Sequence, residues 1–159
     1  MTSSEALVSL LRNKKLKIAC AESCTGGLLA KKITDISGSS EIFELGVVAY
    51  ANRIKTKILG VPAKLLEEKG AVCAEVAAFM AKGVCALSES DIGTGITGIA
   101  GPGGGTPEKP VGLVYVAVYM KSTDKVYVGE LHLNGDRSEI RNATAEKVIS
   151  KVIELVRNT

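Results

Sequence analysis

A short apolar run, Leu16 to Ala21, breaks directly into Glu22-Ser23-Cys24-Thr25-Gly26-Gly27, after which Leu28, Leu29, Ile33 and Ile36 recur at helical spacing. The pattern specifies a strand, a tight turn and a helix in immediate succession. Gly26 and Gly27 let the backbone approach a ligand closely, and the N–H groups that open a helix have no partner inside it. Ser23, and with it Cys24 and Thr25, would then lie beside donors suited to an anion or a developing oxyanion. The same residues are also compatible with Ser23 and Thr25 doing no more than capping the helix.

The rest of the chain repeats this alternation. Helical patterns cover residues 4–13, 26–36, 52–59, 63–69, 74–88 and 137–157. Strand patterns cover 16–21, 45–50, 91–97, 112–120 and 125–133. Thr2 and Glu5 are spaced as a capping box for the first helix, and Gly60 with Pro62 ends the third. The last two strands are joined only by Lys121-Ser122-Thr123-Asp124, which predicts a hairpin. Three strand–helix units and one hairpin predict an α/β fold: a three-layer α/β/α domain with a mixed, mostly parallel sheet of about five strands, including the C-terminal hairpin. With 159 residues, one domain over 1–159 is expected.

Composition narrows the function classes. Aromatic residues are 4% of the chain and Trp is absent, so base-stacking platforms are poorly supplied. A net charge of +3, with Lys14, Lys15 and Lys17 as the only tight basic cluster, argues against a dedicated nucleic-acid binder. Cys20, Cys24, Cys73 and Cys85 form no C-x-x-C pair, and the N-terminus lacks a charged segment followed by a long apolar one. Reduced thiols in the cytoplasm are expected. The run Val111 to Met120 is too short to span a membrane and reads as a buried strand. With one histidine and scattered cysteines, no zinc-ligand spacing can be assembled, and no metal is expected.

The loop after the 91–97 strand holds Gly101, Pro102, Gly103, Gly104, Gly105 and Thr106, at the edge where open α/β sheets take ligands. Successive unshielded N–H groups can form an anion nest, with phosphate as the natural guest, although such a loop can equally be a connector. Two motif matches do not survive their context. Gly93-Thr94-Gly95-Ile96-Thr97-Gly98 fits G-x-G-x-x-G but lies within a strand pattern and opens no helix. The 101–105 glycines lack the G-K-[ST] ending of a phosphate-binding P-loop.

A base for Ser23 must come from a short set. His132 alternates with Leu131 and Leu133 in a late strand, where an exposed strand-face role is expected. A lysine can serve when burial lowers its pKa, and Lys55 lies just past the 45–50 strand, following Tyr50. By composition alone, a helix lysine such as Lys55 is ordinarily solvated.

Ala21-Glu22-Ser23-Cys24-Thr25-Gly26-Gly27, Gly46-Val47-Val48-Ala49-Tyr50 through Lys55, the block from Thr97 to Gly112, and Gly135-Asp136-Arg137 together resemble the CinA C-terminal domain family. The likeness runs in order over nearly the whole chain. It implies a nicotinamide mononucleotide deamidase: water and nicotinamide mononucleotide would give nicotinic acid mononucleotide and ammonia by a Ser-Lys mechanism, in pyridine nucleotide recycling. Matched residue by residue, Ser23 is the implied nucleophile, Lys55 the base and Tyr50 an active-site tyrosine. Ser40, Thr97 and Arg137 match positions of the substrate pocket. No cofactor is implied. A homo-oligomer, with a dimer favoured, is the expected assembly. Larger CinA proteins carry a further N-terminal nucleotide-hydrolase domain, which these residues do not resemble. Ala49, Ala51 and Cys73 replace the more frequent Thr, Ser and Ser of the family, which removes any auxiliary hydroxyl contacts there. Two other readings use the same residues: a non-catalytic mononucleotide-binding module, and a DNA-uptake or damage accessory protein.

Overall fold

The computed structural model describes residues 1–159. Five strands, β1 (Ile18–Glu22), β2 (Phe43–Val48), β3 (Ile92–Gly98), β4 (Leu113–Met120) and β5 (Lys125–His132), form one sheet in the order β2-β1-β3-β4-β5. β1 pairs in parallel with β2 and β3, whereas the β3–β4 and β4–β5 pairs are antiparallel. The pairings therefore divide evenly, yet four of the five strands point the same way and only β4 runs against them. The expected three-layer fold is present.

The helices are α1 (Ser3–Lys14), α2 (Leu28–Thr34), α3 (Asn52–Leu59), α4 (Ala63–Lys69), α5 (Ala74–Ser88) and α6 (Arg137–Arg157). Thr2 and Glu5 make the expected capping box, and Asp136 with Glu139 makes a second at the start of α6. α2 is shorter than its sequence pattern because Gly26 and Gly27 both take positive φ and cannot continue it. β2 lies two residues earlier than expected, releasing Ala49 and Tyr50 from the sheet. No helix is long and apolar enough to cross a membrane.

Period-two alternation divides the core. Ile18 and Cys20 of β1, Ile92 and Ile96 of β3, and Val114, Val116 and Val118 of β4 face α1, α2 and α6. The opposite face is lined by small residues, among them Ala19, Ala21, Gly93, Gly95 and Ala117, and is covered chiefly by α5. This explains the glycines of the G-x-G-x-x-G match: a Cβ on Gly93 would lie 2.1 Å from the Ala81 carbonyl oxygen, and one on Gly95 2.3 Å from that of Ala77. They bring a helix against the sheet, not a pyrophosphate. Gly95→Ala is expected to cost about 1–3 kcal/mol by overpacking, lowering the melting temperature by roughly 2–12 °C. An unchanged thermal transition would show that the helix–sheet spacing adjusts freely.

Candidate active site

β1 and β3 are neighbours whose chains depart to opposite sides, from β1 to β2 and from β3 to β4, which opens a crevice at the carboxyl ends of these two strands. There a cavity of about 250 Å³ collects Ser23 and Cys24 from the turn after β1, and Tyr50 and Lys55 from the end of β2 and α3. Thr97 and Gly98 from the end of β3, Gly101, Gly103 and Gly104 from the following loop, and Arg137 from the start of α6 complete the polar part of the wall. Ala71, Val72, Ile99 and Ala100 supply apolar wall that the sequence reading did not anticipate.

Lys55 is the largest side chain buried to this degree, at 1% exposure, against the expectation that a helix lysine is solvated. Its Nζ lies 3.0 Å from Ser23 Oγ, 2.7 Å from the Ala49 carbonyl oxygen and 2.9 Å from that of Tyr50. Those carbonyls are available because β2 ends at Val48. Burial pushes the Lys55 pKa below the ordinary lysine value, with a smaller opposing pull from the neighbouring Cys24. The ammonium form donates to all three oxygens. The neutral amine has two N–H groups, which the carbonyls take, and one lone pair left for the Ser23 hydroxyl proton. Only the serine can trade roles with it, since a carbonyl has no proton to give.

The neighbouring thiol is a poor rival. Burial pushes the Cys24 pKa up to about 11, outweighing its own backbone N–H and the nearby Arg141. It is therefore a thiol, not a thiolate, near neutral pH.

Glu22 and Arg141 shape the nucleophile turn, and sequence reasoning missed both. The Glu22 carboxylate is buried beneath the turn. It accepts from the Thr25 hydroxyl at 2.6 Å, the Leu29 N–H at 2.9 Å and the Ala30 N–H at 3.0 Å. It thus satisfies the opening of α2 in place of a side chain at the cap position, which is Gly27. Neither Ser23 nor Thr25 caps that helix. The Gly26 N–H donates to the Ser23 carbonyl and the Leu28 N–H to that of Thr25, whereas the N–H groups of Cys24 and Thr25 donate to no other residue's carbonyl. Arg141 donates from Nη2 to the Thr25 carbonyl at 2.8 Å. The available signals were an acidic side chain just before a helix start and a second arginine four residues after Arg137, on the same face of α6.

Thr25, Gly26 and Gly27 therefore build the turn without lining the cavity. Thr97 lines it, but its hydroxyl donates to the Ala71 carbonyl at 2.9 Å and holds that segment in place. Of the glycine loop, Gly101, Gly103 and Gly104 face the cavity, while Gly105 packs against Val111 and Thr106 closes a turn with Lys109. Arg137 donates to the Gly101 carbonyl at 2.8 Å and to the Tyr50 hydroxyl at 3.1 Å. Tyr50 thus meets Lys55 through its carbonyl and Arg137 through its hydroxyl. Ser40 is not brought to this cavity: it lies in a 3-10 turn before β2 begins, at the amino-terminal edge of the parallel strands, opposite the crevice. His132 is exposed and pairs with Glu130, away from Ser23. No group of three or more His, Cys, Asp or Glu side chains converges anywhere in the chain.

The family match extends over the whole of this architecture. Residues 1–156 match the CinA C-terminal domain. A relative in Thermoanaerobacter pseudethanolicus, named for competence-damage induction, is 56% identical over 140 residues, which is 88% of this chain and 33% of that protein. A CinA-like protein of Kosmotoga olearia is 52% identical over 141 residues, covering 89% of this chain and 34% of its own length. The chain thus spans about a third of the curated relatives it matches. Among solved structures, the competence/damage inducible protein CihA of Agrobacterium tumefaciens superposes with a TM-score of 0.94 at 38% identity, over 96% of this chain and 93% of that one. A CinA superfamily protein of Klebsiella pneumoniae gives 0.94 at 25% identity over the full length of both. Sequence motifs, sheet order and these likenesses converge, and the chain belongs to the CinA C-terminal domain family.

Proposed function

We propose that this chain is an amidohydrolase that deamidates nicotinamide mononucleotide to nicotinic acid mononucleotide and ammonia. The observation that carries the reading is the buried Lys55 amine, with two carbonyls occupying its N–H groups and Ser23 Oγ 3.0 Å away along its remaining direction. A serine–lysine pair of this kind performs acyl transfer.

Neutral Lys55 takes the Ser23 proton as Oγ bonds to the carboxamide carbon, and the carbonyl π electrons move onto oxygen. The Cys24 N–H, on a residue that lines the cavity and unclaimed by another residue's carbonyl, is available to that oxyanion. Collapse of the adduct breaks the C–N bond. The departing nitrogen takes the Lys55 proton and leaves as ammonia, and Ser23 carries the acyl group. Water then gives a proton to Lys55 and its oxygen to the acyl carbon. Breakage of the C–Oγ bond, with return of the proton to Ser23, completes the cycle. The pyridinium of the substrate withdraws electrons from the carboxamide and favours attack by an alcohol. These residues close the proton balance without a cofactor, and the reduced cytoplasm is the compartment in which the reaction would run.

Arg137 is the proposed phosphate contact. Its hydrogen bonds go to two neutral oxygens, so its charge is not neutralised by a carboxylate partner. Arg137→Ala is expected to lower kcat/KM for the mononucleotide by about 10- to 100-fold, while changing the value for the corresponding riboside by no more than about threefold. Equal losses on both substrates would remove Arg137 from phosphate recognition. The parent reading is tested by ammonia release from nicotinamide mononucleotide against a panel of small amides. No release from the mononucleotide by the folded wild-type protein would overturn it.

A further inference from the structure

The Thr25–Gly26 peptide is gripped from several sides. Its carbonyl accepts from Arg141 Nη2 at 2.8 Å and from the Leu28 N–H at 3.0 Å, and its N–H donates to the Ser23 carbonyl at 3.0 Å. Because a peptide unit is planar, holding the carbonyl also fixes the N–H that closes the turn on the nucleophile. Arg141 reaches this point from α6, which also carries Arg137, one turn apart on the same face.

Two further observations set this contact apart from ordinary packing. Arg141 Nε is buried without a hydrogen-bond partner, and its one side-chain hydrogen bond goes to a neutral carbonyl. A guanidinium so placed carries a desolvation cost that an apolar side chain would avoid. The turn is also built to admit it: Gly26 has φ of +59°, and a Cβ there would lie 3.0 Å from Arg141 Nη2.

We propose that Arg141 is a positioning residue for the nucleophile turn: by holding the Thr25–Gly26 peptide it keeps Ser23 Oγ and the Cys24 N–H aligned on one reacting carbonyl group. The role rests on the amidohydrolase reading for its natural substrate. It does not require Arg141 to touch that substrate. Loss of the contact leaves every group of the cavity in place and lowers only the fraction of turns aligned for attack.

The test compares wild type, Arg141→Met, Gly26→Ala and the double variant, each checked for folding by circular dichroism. Two rates are read: deamidation of nicotinamide mononucleotide, and labelling of Ser23 by a fluorophosphonate. In the labelling step a Ser23 Oγ–P bond forms, the P–F bond breaks and fluoride leaves, with the hydroxyl proton going to Lys55. Arg141→Met is expected to lower kcat and the labelling rate together by about 10- to 100-fold, with KM changed by no more than about threefold. Gly26→Ala should behave similarly by displacing the guanidinium. The double variant should lose no more than the worse single one, because both remove the same contact. Multiplicative losses, an unchanged labelling rate, or a rise in KM at constant kcat would overturn the proposal. If Arg141→Met fails to fold, Gly26→Ala alone decides through the same two rates. Wild-type protein that labels at Ser23 in an Arg141-dependent way but releases no ammonia would keep the positioning role and discard the substrate.

Discussion

Ser23→Ala is expected to reduce turnover of nicotinamide mononucleotide by about 10⁴-fold or more, with substrate binding still measurable by calorimetry. The large effect follows from covalency: without Oγ there is no acyl-enzyme, while Arg137 and the glycine loop remain in place. Two controls separate this from a general disturbance of the cavity. Cys24→Ala should keep substantial activity, because the thiol is held protonated by burial and Lys55 is hydrogen-bonded to the serine. His132→Ala should also remain active, since that side chain is exposed and pairs with Glu130. Retained deamidation by Ser23→Ala would end the covalent mechanism.

Lys55→Met should be nearly as inactive, and it carries a distinct signature in pH. The base must be neutral, so kcat/KM of the wild type should fall as pH drops through the Lys55 pKa, which burial places below the ordinary 10.5. The same shift makes folding stability pH-dependent. Between the folded-state value and 10.5 the unfolded chain holds a proton on this lysine that the folded chain does not, so stability rises with pH across that window. It is lost as pH falls toward the folded-state value. In Lys55→Met that contribution to the slope disappears. Denaturant titrations of the two proteins at several pH values measure it, and parallel curves would mean that Lys55 is charged in the resting protein.

Much of this was legible from the chain. Apolar periodicity located the six α-helices and the five strands, β2 two residues too late, since each element buries one face and the pattern records which, whereas the short 3-10 turn at 39–41 read as loop. Strand–turn–helix at 16–36 and the loop after β3 located the crevice, because connectivity fixes the strand edge on which such turns emerge. What the chain did not disclose depends on direction and depth. The family resemblance assigned Ser40 to the pocket, but it precedes β2 as Ser23 follows β1, and parallel strands then separate the two by the length of the sheet. The burial of Lys55 is invisible to composition, because its three oxygen partners come from residues 23, 49 and 50 and exist only when β2 ends at Val48. Glu22 opens the turn block in sequence without a visible role, because that role needs the carboxylate turned under α2.

The anchoring of α6 has a consequence for how this protein would tolerate variation. The helix is 21 residues long, and Ile140, Thr144, Val148, Val152 and Val156 fasten it to the core along its length. Its first two turns carry both guanidiniums, that of Arg137 to the cavity wall and that of Arg141 to the Thr25 carbonyl in the nucleophile turn. A regular helix transmits a shift along its axis without absorbing it, so a small repacking far down the rod displaces both arginines together. In a library of single substitutions selected for activity, the intolerant positions should extend as a stripe down this helix, well beyond any residue that a substrate could touch. Changes on its solvent side, such as Lys147 or Ser150, should pass unnoticed. Sequence drift in the family would then be paced less by the chemistry of the cavity than by the fit of one long rod against the sheet behind it.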